Sequence, residues 1–173
     1  MRFPELAPDE MTPRQREVAA AIGERRVGGL SGPYMPLIYS PEVADRAQLL
    51  GDYLRFNLRV PERLRVLAVL VAAGRHRGSD AASFLHLDTV QESGLAASTI
   101  SALCNGHRPD GMTSDEEMVY EYCMELTRSG RVKGVTYDKL AARLGAEICL
   151  ELVAVCGYAS FLSMVVNVTE SPI

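Results

Sequence analysis

The chain has 173 residues, 47% of them hydrophobic, which is enough for one domain with its own core. Its 18 basic and 22 acidic residues leave a net charge of −4, and no basic tract reaches five residues. Tryptophan is absent and phenylalanine occurs four times, so both the charge and the stacking platform expected of a nucleic-acid binder are missing.

A single domain over residues 1–173 is expected, with residues 1–11 as an N-terminal arm. The first ten residues carry proline and acids without an apolar h-region, so a signal peptide is not expected. Thr12-Pro13 then places a hydroxyl at an N-cap and a proline at the first helical position, which predicts a helix over 14–24. Gly28-Gly29-Leu-Ser-Gly32-Pro33 breaks the chain, and Tyr34 to Tyr39 is a short apolar patch. Ser40-Pro41-Glu42 opens a second helix in the same way. Along it Val43, Ala47, Leu50 and Leu54 form a stripe at i, i+4, i+7 and i+11. Pro61-Glu62 opens a helix to about Gly74 with Leu64, Leu67, Leu70 and Val71 inward.

Asp80 to about Ser93 reads as the next helix, stopped by Gly94. Ala97 to Asn105 is a short helix, and His107 to Thr113 a loop. Ser114-x-x-Glu117 reads as a capping box opening a helix to about Ser129. Thr136 to Leu144 is a further helix stopped by Gly145. The last begins near Glu147 and fades before Pro172. Val60 and Val132 to Val135 offer at most a few extended residues. Residues 148–168 are apolar enough to imitate a membrane span. Glu151, Gly157, Ser160, Ser163 and Asn167 interrupt them, and no Lys or Arg clamps their ends. The expected reading is a helix buried centrally or between subunits, with no membrane partner.

The four cysteines, Cys104, Cys123, Cys149 and Cys156, lie in helical contexts without Cys-x-x-Cys or metal-ligand spacing. Buried, reduced thiols in a cytoplasmic protein are expected. The three histidines are too dispersed to suggest a metal site.

Five segments share their order and spacing with one known family. They are Gly-Gly-x-x-Gly-Pro-Tyr (28–34), Ser-Pro-Glu-Val-Ala-Asp-Arg-Ala-Gln (40–48), Pro-Glu-Arg-Leu-Arg (61–65), Gly-Ser-Asp (78–80) with His86, and Glu-Leu-Val-Ala-x-x-Gly-Tyr (151–158) with Asn167. From about Thr12 to Asn167 the chain resembles the carboxymuconolactone decarboxylase family, which includes the AhpD-like proteins. The resemblance implies an all-α, AhpD-like helical bundle that assembles as a homotrimer or homohexamer, with its site in a helical pocket near subunit contacts. Three departures stand out. Ser79 and Ala82 occupy the positions of the redox Cys-x-x-Cys pair, which sets thiol peroxidase chemistry aside. Ala82 and Val66 stand where relatives often carry carboxylates.

Ser79, Ser83 and His86 lie at i, i+4 and i+7, on one face of a helix that starts by Ser79. A histidine gives or takes a proton near neutral pH, and His86 falls where the family keeps its chemistry. The competing reading is a hydrogen-bonded histidine near an interface. No third member of a hydrolase triad is recognisable. Arg46 and Arg75 are candidates to hold an anion by charge-assisted hydrogen bonds, with Tyr34 and Tyr53 shaping the pocket. Arg46 could instead pair with Glu42 or Asp45 on the surface. The Arg75-His76-Arg77 cluster could simply complement a helix end. His107 is expected to be exposed in its loop. Asn167 on the last apolar helix needs a partner in protein, water or ligand.

These features predict a cofactor-free lyase or isomerase acting on a small carboxylated or enolisable substrate, with His86 as the proton-transfer residue. The alternative is a non-catalytic helical oligomer serving as a binding or accessory protein.

Overall fold

A computed structural model of the chain describes residues 2–25, 29–76, 90 and 92–170. Eight helices and no strand occur among them. They are α1 (Pro13–Arg25), α2 (Tyr34–Leu37), α3 (Pro41–Phe56), α4 (Glu62–Gly74), α5 (Ala97–Cys104), α6 (Ser114–Ser129), α7 (Gly134–Leu144) and α8 (Ala146–Thr169). The protein is all-α, as its sequence predicts.

The centre is α4. Its sequence from Leu64 to Ala73 is apolar on every side, Arg65 apart, so a helix there must be surrounded. It packs against α8, α6 and α5, and α7 closes over α6 and α8. The predicted inward residues Leu64, Leu67, Leu70 and Val71 are all buried, joined by Val66, Ala68, Ala72 and Ala73. Each large side chain among them contributes about 1.5–3 kcal/mol by leaving water. A second cluster joins Val18 and Ile22 of α1, Tyr34 and Leu37 of α2, Ala44 and Ala47 of α3, and Leu162 of α8.

The start of α1 holds as read, and is stronger. The Thr12 hydroxyl accepts from the Gln15 backbone N–H at 3.3 Å, and the Gln15 amide oxygen accepts from the Thr12 N–H at 2.8 Å. Two orphan donors of the first turn are thereby satisfied.

The predicted stripe of α3 requires correction. Its buried residues are Ala44, Ala47, Gln48 and Leu54, whereas Val43 and Leu50 are exposed. Packing against α1 and α8 sets the rotation of the helix. The capping box of α6 is also displaced by one residue, to Thr113 and Glu116. Thr113 holds extended geometry (φ −66°, ψ 163°), and Ser114 is already helical. The start of α7 moves back to Gly134, and Val135 is helical.

The helix predicted over 80–93 falls almost entirely outside the described residues. Val90 and Glu92 are helical, and Gly94 has φ +74°.

The last helix is long and apolar, with a mean hydropathy of 1.9 over its central window. It is not buried all round, however. Cys149, Leu152, Val155, Cys156, Ala159, Leu162, Ser163, Val166 and Thr169 face the bundle as one stripe. Leu150, Val153, Met164 and Val168 are exposed. Glu151, an apparent interruption, serves as an anchor. Its carboxylate accepts the backbone N–H groups of Arg59 at 3.0 Å and Val60 at 2.8 Å, tying the α3–α4 loop to α8.

Candidate functional site

A cleft opens where the C-terminal end of α4 meets α5 and α6. It is a shallow depression lined by Val71, Gly74, Arg75, Leu103, Gly106, His107, Tyr120 and Met124, with an internal volume of about 10 Å³. Its floor depends on a close backbone approach. A Cβ on Gly74 would sit 2.5 Å from the Leu103 carbonyl oxygen, so a larger residue would drive α5 away from α4. The turn after α5 then swings back at Gly106 and sets His107 on the rim.

Three groups of different chemistry converge on this cleft. Arg75 is the C-cap of α4, where a cation is favoured by the helix dipole. Its guanidinium is exposed and makes no ion pair with a described residue. Tyr120 is buried from the side of α6. Burial pushes its phenol above the ordinary range, and the nearby Arg108 and Arg75 guanidinium groups pull only partly the other way. Tyr120 is therefore a neutral O–H donor at physiological pH. The Arg108 guanidinium lies over its ring, 5.2 Å from the centroid, and spreads its charge to Glu117 at 3.6 Å and Glu121 at 3.7 Å. His107 supplies an imidazole at the exposed edge. A cation, a neutral hydroxyl and an imidazole around one concavity suit a small anion with an ionisable or enolisable centre.

Of the described residues singled out as site candidates from sequence, Arg75 alone lines this cleft. His86 and the serines at 79 and 83 lie outside the described residues. Arg46 is exposed on α3 and donates to the Glu42 carboxylate one turn earlier, a surface ion pair of little consequence for binding. That carboxylate also accepts from Arg14 Nε at 2.8 Å. The two guanidinium groups, Arg14 first, hold Glu42 down to a pKa of about 2. Tyr53 is exposed on α3, away from any concavity described here. Tyr34 is fully buried and packs in the second core cluster, not at a pocket mouth. Its hydroxyl meets that of Tyr158, which in turn donates to the Ala47 carbonyl at 2.9 Å. Asn167 is half-buried on α8 and is already engaged.

His107, Arg108 and Tyr120 carry no local signal that would have joined them to Arg75. They come from a loop and a helix more than thirty residues along the chain. Arg65 is a further residue that the sequence reading left inside a motif. Its side chain is buried, with Glu62 at 3.4 Å as its ion-pair partner, and burial lowers its pKa. Among the described residues no group of three or more His, Cys, Asp or Glu side chains is arranged to hold a metal.

No protein-family model matches the chain, and no curated protein matches it.

Proposed function

We propose that this protein is a carboxymuconolactone decarboxylase-like, AhpD-like homo-oligomer of the cytoplasm, acting as a cofactor-free lyase or isomerase. Its substrate is a small carboxylated or enolisable molecule. The observation that carries this reading is Arg75, without an ion pair among the described residues, beside a neutral Tyr120 phenol and the His107 imidazole in one cleft. Arg75 holds the substrate carboxylate or enolate, and Tyr120 donates a hydrogen bond to developing negative charge. His86, eleven residues further along the chain, moves the proton. When carbon dioxide leaves, the bonding electron pair passes into a conjugated carbonyl of the substrate. His86 then protonates the carbon that lost the carboxyl group. Holding the substrate beside these groups supplies much of the rate through orientation alone.

The test uses a carboxylated γ-lactone of the carboxymuconolactone type, with turnover followed by ultraviolet absorbance and carbon dioxide release. The expected result is turnover by the wild type, with a loss of roughly 10²–10⁴-fold in His86→Ala. Arg75→Ala should raise KM by about tenfold, as expected for one lost charge-assisted bond.

The second reading is a non-catalytic binding or accessory oligomer. It is favoured by the size of the cleft, whose internal volume of about 10 Å³ is roughly that of one water site, against roughly 300–1,000 Å³ for small-molecule sites. Absence of turnover by the wild type on carboxylated lactones and enolisable acids alike would select it.

A further inference from the structure

The outer face of α8 is apolar from end to end and is covered by none of the described residues. Ala146, Leu150, Val153, Ala154, Gly157, Met164 and Val168 are exposed along it, with Phe161 half-buried in the same row. The row recurs every three or four residues, so it is one continuous face of the helix. No charged side chain lies within it. Its large members are well out in solvent: Leu150 at 72%, Val168 at 58%, Met164 at 50% and Val153 at 40%. The neighbouring α3, held to α8 by the Tyr158–Ala47 bond, has its own uncovered row of Val43, Leu49, Leu50, Tyr53 and Phe56.

The areas are large. With a fully exposed large side chain presenting about 200 Å², the four on α8 offer roughly 400 Å² and the two helices together on the order of 1,000 Å². A typical monomer's largest apolar patch is about 300–600 Å². One side of a stable protein–protein interface needs about 800 Å².

We infer that the α8 face is the surface by which a second copy of this chain docks, antiparallel, about a twofold axis at Gly157. This deepens the homo-oligomer part of the reading above and is independent of its chemistry. The pattern of the row is what selects a second copy. Gly157 is its midpoint, and its members apart from Ala154 have counterparts at the same distance on the other side. Val153 and Phe161 lie four residues away, Leu150 and Met164 seven, and Ala146 and Val168 eleven. An isologous contact requires such self-complementarity, since each residue meets its counterpart twice. Antiparallel docking puts Leu150 of one copy opposite Met164 of the other, with Gly157 against Gly157 at the crossing. Gly157 otherwise lacks a reason. A glycine within a helix costs about 0.5–1 kcal/mol relative to alanine. None of the described residues lies within 4 Å of where its Cβ would be. Close approach of a second helix backbone supplies that reason.

A lipid surface fits the face less well. The arginines at its ends are already paired, Arg59 with Glu147 at 2.8 Å and Arg2 with Glu170 at 2.9 Å, and so are not free to hold anionic headgroups.

The experiment combines light scattering with cross-linking on the full chain. Wild type should be dimeric or a higher even-numbered assembly at micromolar concentration. Leu150→Lys and Met164→Glu should each weaken association at least tenfold. The double variant should restore it, because the new lysine of one copy faces the new glutamate of the other. Under mild oxidation Gly157→Cys should form a covalent dimer that the wild type does not. These positions are exposed in the protomer, and unchanged circular dichroism serves as the folding control. A monomeric wild type, or wild type that instead binds phosphatidylserine vesicles, overturns the inference. So does an oligomer indifferent to both charged variants, with Gly157→Cys failing to cross-link. Turnover on the lactone reports separately on the chemistry.

Discussion

Replacing Gly51 by alanine tests the closest helix–helix approach outside the cleft. A Cβ at position 51 would lie 2.9 Å from Cζ and 3.2 Å from Cε1 of Tyr158, and closer still to its hydroxyl. That hydroxyl bridges the Ala47 carbonyl and the buried Tyr34 hydroxyl, so the ring has little freedom to retreat. Two effects oppose each other. Alanine is a better helix former than glycine by about 1 kcal/mol. Forcing an extra methyl into a packed site costs typically 1–3 kcal/mol, and displacing Tyr158 forfeits hydrogen bonds of about 1 kcal/mol each. The sum predicts net destabilisation of roughly 1–3 kcal/mol. For a chain of this length each kilocalorie shifts Tm by about 2–4 °C. Urea and thermal unfolding at fixed protein concentration measure it. Tyr158→Phe removes the crowding oxygen, so Gly51→Ala should cost less in that background by about 1 kcal/mol in a double-mutant cycle. If Gly51→Ala instead stabilises the protein by the full helix-propensity gain, the close approach is absent and the reasoning fails.

The Glu116 carboxylate is buried, takes Arg63 Nε at 2.6 Å and accepts the Thr113 N–H at 2.7 Å, so Glu116→Gln should cost about 2–4 kcal/mol by denaturant melts. Burial alone would push that carboxyl up, but the hydrogen bonds from Arg63 and Thr113 prevail and hold it below 4.5. A depressed carboxyl contributes stability that is complete above its unfolded value and lost as pH falls through the folded one. Glu116→Gln should therefore flatten the acid limb of stability against pH, and an unaltered limb would argue against the pairing. The Cys123 thiol is pushed well up by its hydrogen bond with Cys156 and by burial, and Cys149 is raised by burial. With a thiol-reactive disulfide reagent, half-buried Cys104 should react in the native protein and the other three only on unfolding. Rapid native labelling of all four would contradict this packing.

Some of this protein was legible in its sequence. Thr12-Pro13 fixed the entry to α1 because a cap depends only on residues within one turn. In α4 the helical spacing of Leu64, Leu67, Leu70 and Val71 marked them as inward, and all four are buried. Where two faces of a helix are both apolar, sequence could not choose. In α3 the larger residues Val43 and Leu50 turned outward, while packing against the neighbouring helices buried Ala44, Ala47, Gln48 and Leu54. In α8 the bundle covers one stripe and leaves the other, a choice made by how many helices are available to surround it. Thr113 rather than Ser114 caps α6, since the pairing of the buried Glu116 carboxylate with Arg63 sets the register from outside the helix. The cleft was the least visible feature. Arg75, His107 and Tyr120 come from a helix end, a loop and a second helix, and only the packing of α5 against Gly74 brings them together.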